Sequence, residues 1–100
     1  MLAEFSPVKK VKNKEEKIKR YKDTQLNVIN SMIKRAMKKN QRIVYKQFTV
    51  KRYMSEDDLY KTLIEIKRML LNNGFDDVNL TRWFNRINGK FSHYSLVVEW

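Results

Sequence analysis

The chain has no cysteine, one proline, two glycines and one histidine among its 100 residues. Without cysteine there are no disulfides, no thiolate nucleophile and no zinc finger or ribbon. Gly74 and Gly89 are too few and too far apart to form a Gly-rich loop that cradles phosphates. The lone His93 has no second histidine with which to share a metal and no thiol to activate, so no nucleophile, base and orienter set can be built around it. Apolar runs stop at three residues, as in Met69-Leu70-Leu71 and Leu96-Val97-Val98, against the roughly 18 that span a bilayer. The opening Met1-Leu2-Ala3-Glu4-Phe5 lacks the regions of a signal peptide, so a cytoplasmic protein is expected. On that expectation Asn79-Leu80-Thr81 matches a glycosylation acceptor by chance.

What the chain has in excess is positive charge, +11 in all. The excess is localised. Residues 1–52 hold sixteen Lys and Arg against four acids, whereas residues 53–100 hold six against seven. Cations concentrated on one part of a small protein point to a polyanionic partner, most often nucleic acid. With 42% hydrophobic and 12% aromatic residues the chain can still build one modest core.

Pro7 and the lysines at 9, 10, 12 and 14 show little periodicity, so residues 1–14 read as a basic flexible arm and 15–100 as a single α+β domain. From Glu15 to about Asn40 the residues Ile18, Tyr21, Val28, Ile29, Met32, Ile33 and Ala36 recur at helical spacing. Arg20, Asn27, Ser31, Lys34 and Lys38 fall on the opposite face. Residues 42–53 read as a strand. Ser55 followed by Glu56, Asp57 and Asp58 marks a second helix start, and Gly74-Phe75 fits a left-handed stop.

Asn88-Gly89 marks a hairpin between two C-terminal strands. A two-residue turn there would put Val78, Leu80, Arg82, Phe84, Arg86, Phe91 and His93 on one face. Trp83, Tyr94, Leu96, Val98 and Trp100 would share the other, and that more apolar set is expected to be core. The resulting architecture is a small two-layer α/β sandwich of order αβαββ. Two helices lie on one face of a three-stranded sheet, with the residue 42 strand parallel to a hairpin strand through the helical crossover. Winged-helix is the second choice, but it wants another helix.

The candidate phosphate contacts are Lys9, Lys10, Lys12, Lys14, Lys17, Arg20, Lys34, Lys38, Lys39 and Arg42. Such groups displace condensed counterions without needing a fixed register. Arg82 and Arg86, interleaved with Phe84 and Phe91, could take phosphates while the rings stack on bases. The bland readings are a solvated helix face and core phenylalanines.

Glu15-Glu16-Lys17 and Glu65-Ile66-Lys67 resemble the end of a nuclease motif that belongs on a strand, whereas both sit on predicted helices. Asp76 and Asp77 are explained as a post-helix turn. No catalytic residue, metal, cofactor, membrane or small-molecule substrate is expected. The expected function is therefore a non-enzymatic nucleic-acid-binding accessory protein. The alternative, suggested by composition, is a phage- or mobile-element-type inhibitor or adaptor that docks on an acidic protein.

Overall fold

Pro7 stands at the first position of helix α1 (Pro7–Lys38), where its fixed φ suits a helix and its missing N–H removes no helical bond. The computed structural model describes residues 7–100, with side chains from residue 13 onward. The segment expected to be an extended arm therefore joins the helix from Pro7, and residues 1–6 lie outside the described residues. Lysine is a good helix former and neither Gly nor a further Pro interrupts the run, so helix continues where apolar periodicity gives no sign of it. At 1.5 Å per residue α1 is roughly 48 Å long.

Both helix stops use the same device. At the end of α1, Asn40 adopts φ 58°, the Gln41 N–H donates to the Ala36 carbonyl at 2.8 Å, and the Asn40 N–H donates to Met37 at 3.1 Å. After α2 (Glu56–Asn72), Gly74 adopts φ 93°, Phe75 donates to Leu70 at 3.3 Å, and Gly74 donates to Leu71 at 3.1 Å. These paired bonds satisfy carbonyls that a helix end leaves orphaned. At the start of α2, the Ser55 hydroxyl oxygen accepts the Asp58 N–H at 3.1 Å, and the Asp58 carboxylate accepts the Ser55 N–H at 2.9 Å. The expected Ser55 cap is thus part of a reciprocal box, with Asp58 as its second member.

Strands β1 (Ile43–Phe48), β2 (Asp77–Phe84) and β3 (Phe91–Glu99) form one sheet in the order β1-β3-β2. The order αβαββ is as expected, but the pairing is antiparallel throughout. β1 does run parallel to β2, yet the last strand lies between them and pairs with both.

The hairpin departs further from expectation. Asn88 lacks the positive φ that a two-residue turn demands; among the described non-glycine residues only Asn40 has one. Instead the Asn85 carboxamide oxygen accepts the Ile87 N–H, and the Asn88 oxygen accepts the Lys90 N–H. Such local side-chain bonds compete with the tight turn. Residues 85–90 become the connection, closed by Gly89 N–H to Asn85 carbonyl at 2.8 Å. A register shift follows at Trp83/Phe84.

A one-residue change of register moves a strand's whole set of side chains to the other face. Val78, Leu80 and Arg82 stand opposite Val98, Leu96 and Tyr94 on the inner face. Trp83, expected in the core, is 47% exposed on the outer face. Tyr94, Leu96 and Val98 are buried as expected, and Trp100 packs half-buried against the core.

The core lies between that inner face and the two helices. Tyr21, Ile29 and Ile33 of α1 meet Leu59, Leu63, Ile66 and Leu70 of α2 over Phe48, Val78, Tyr94, Leu96 and Val98. Leu59, Leu63 and Ile66 are wholly excluded from solvent, each contributing about 1.5–3 kcal/mol by burial. On β1 only one face is covered: Val44 and Phe48 point inward, while Ile43 and Tyr45 remain about half exposed. Among the described residues no helix is long and apolar enough to cross a membrane.

Candidate nucleic-acid interface

Because β1 and β2 are parallel and β3 runs between them, three features gather at one end of the sheet: the segment after Phe48, the hairpin connection 85–90 and the start of α2. The register fixes this, since Phe48 and Arg82 flank Tyr94 from opposite sides. The N-terminal half of α1 reaches the same end, where Lys14 contacts Asp58 at 3.1 Å.

The acids at that end are already engaged. Glu56 pairs with Arg82, Asp57 with Lys61 at 3.0 Å, and Asp58 with Lys14. The Ser55 backbone N–H, and then the bond from Lys14, hold the Asp58 carboxyl below its usual range. Together with Lys22–Glu65 at 2.9 Å, these are the ion pairs among the described residues. Lys17, Lys51, Arg52, Arg86 and Lys90 are left with no carboxylate partner among the described residues.

Between α1 and residues 52–55 lies an open groove of about 500 Å³, lined by Asn13, Lys14, Lys17, Arg52, Tyr53, Met54 and Ser55. Past Tyr53 it continues into a hollow of about 400 Å³ bounded by Lys17, Arg20, Tyr21 and Thr24. No carboxylate lines either part. The Lys17 ammonium lies 5.9 Å from the centroid of the Tyr53 ring, so a cation and an aromatic edge share the opening. Beneath them Tyr21 is buried, and loss of solvation, followed by the nearby Tyr53, pushes its phenol up to about 12.

The candidate residues distribute unevenly around this groove. Lys14, Lys17 and Arg20 line it. Lys34, Lys38, Lys39 and Arg42 are exposed but form a second cluster at the far end of α1, about 21 Å along the axis from Arg20 to Lys34. There Lys38 and Arg35 also sit favourably against the negative helix terminus, which is the bland explanation for them. The side chains of Lys9, Lys10 and Lys12 lie outside the described ones.

Arg82 is committed to Glu56 and stacks 5.4 Å from the Phe91 ring, which in turn packs 5.2 Å from Tyr94. Phe91 is thus half-buried against the core, while Phe84 is 57% exposed and Arg86 lies on the hairpin tip.

Sequence reading missed Arg52, Tyr53 and Trp83. Lys51-Arg52-Tyr53 directly ahead of a helix cap was the available signal for the first two, since such a segment must lie beside the positive helix start. Comparison of the chain with known protein families, curated proteins and solved structures finds no match, so the interface is defined by its own residues alone.

Proposed function

We propose that this protein binds nucleic acid without catalysing a reaction, holding phosphates in the groove between α1 and residues 52–55 and along the outward face of α1. The observation that carries the reading is the groove lining. Lys17, Arg20 and Arg52 surround Tyr53 with no acid among them, while the three acids nearby are each paired. A guanidinium and an ammonium flanking an aromatic ring suit a phosphodiester with an adjacent sugar or base. The second cluster, Lys34 to Arg42, would extend contact along the same backbone.

Titration against labelled single-stranded DNA, duplex DNA and RNA at several salt concentrations tests this. Binding should weaken steeply with salt, with a log-log slope near −0.7 per neutralised phosphate on a single strand and −0.9 on a duplex. Absence of binding even at low salt would overturn the reading and turn attention to an acidic protein partner, for which the same cations would serve.

A further inference from the structure

Among the described residues no helix covers the outer face of the sheet, and its residues form a graded surface. Rows can be read from the register: Trp83 beside His93, then Thr81, Ser95 and Gln47, then Asn79, Val97 and Tyr45, and last Asp77, Glu99 and Ile43. Both of its acids are in the last row. Trp83 and His93, in the first, adjoin the connection that carries Arg86 and Lys90.

Trp83 is exposed yet held. Its indole N–H donates to the Ser95 hydroxyl oxygen at 2.8 Å, and Ser95 itself is only 3% exposed. The His93 ring lies 6.0 Å away and within 17° of parallel. The His93 ring is in turn anchored through Nδ1 by a 2.8 Å hydrogen bond with the Ser92 hydroxyl. Two nearly parallel rings, one fixed by a bond across the strands and half open to solvent, form a preordered stack whose tryptophan is open to a further ring.

Resting on the reading above, we infer that the Trp83–His93 end of the open sheet face is a base-stacking platform, so that the preferred ligand is single-stranded nucleic acid. A duplex keeps its bases stacked on one another and offers phosphates but no free base face, whereas an unpaired strand offers both. The charge pattern agrees: a polyanion can approach from the side of Arg86 and Lys90 and is turned away by Asp77 and Glu99. A protein partner at this end would want an apolar patch continuous with Trp83, but Gln47, Thr81, Ser95 and Asn79 separate Trp83 from Ile43, Tyr45 and Val97.

The test uses the full chain with Trp100→Phe, which leaves Trp83 as the sole tryptophan, titrated with single-stranded and duplex oligonucleotides of one sequence. Single strands should quench Trp83 emission and bind more tightly than duplex. Trp83→Ala should weaken single-strand binding roughly 5- to 150-fold while leaving the salt slope unchanged, and Trp83→Phe should recover part of the loss. Emission from the unaltered Trp83 reads stacking even if the alanine variant folds poorly. Salt-dependent binding with no change in emission and no strand preference would overturn the platform while leaving nucleic-acid binding intact. Failure of both oligonucleotides to bind would overturn both.

Discussion

The Oδ2 atom of Asp58 receives both the Ser55 backbone N–H at 2.9 Å and the Lys14 ammonium at 3.1 Å, so one carboxylate oxygen closes the start of α2 and ties it to α1. Asp58→Ala removes both partners and should cost about 1 kcal/mol in urea unfolding. The pH dependence has a definite sign. A carboxyl held low in the folded state contributes its stability above the unfolded pKa, near 4, and loses it as pH falls through the lower folded value. The difference between the parent and Asp58→Ala should therefore shrink below about pH 4 and be steady above it.

Lys17 and Arg52 both line the groove and make no ion pair among the described residues, so removing either should hardly disturb the fold. Lys17→Ala and Arg52→Ala should each shift stability by less than about 0.5 kcal/mol. Each should lower the salt slope of nucleic-acid binding by about 0.7–0.9. Loss of stability with an unchanged slope would mark them as structural instead.

Gly74 has open space where a β-carbon would point, so substitution there probes conformation alone. With φ at 93°, Gly74→Ala should cost about 1 kcal/mol, seen as a lower urea midpoint with unchanged slope. Asn40→Ala, at φ 58°, should act in the same direction by a smaller amount, because asparagine already tolerates that region.

Tyr21 resists ionisation in the folded protein. Burial, and then its neighbour Tyr53, raises its phenol to about 12, so the fold favours the neutral form. The stability this provides is complete below the unfolded value near 10 and disappears as pH rises through about 12. Ultraviolet difference titration of the parent should show a step near pH 12 that Tyr21→Phe lacks.

Features written in local chemistry were legible from the sequence. Ser55 to Asp58 and Gly74-Phe75 bound α2 because caps depend on neighbouring residues, and Ile29, Ile33 and Ala36 define the buried stripe of α1. The hairpin register was less accessible: Asn88-Gly89 signals a tight turn, but Asn85 supplies a competing bond to Ile87, and one residue of slippage decides where Trp83 points. The groove was harder still. Lys17 and Arg52 meet only because α1 folds back over the segment that follows β1, and no pattern within either stretch records that meeting.

The central place of β3 sets the timetable of biosynthesis. β1 and β2 share no hydrogen bonds with each other and each depends on β3, which follows both in sequence, so no part of the sheet can assemble while the ribosome is still adding residues 91–99. Without β3, Phe48 loses its neighbour Tyr94 and Val78 its neighbour Val98. Sheet formation must then close a long loop between β1 and β3, a slow class of folding step.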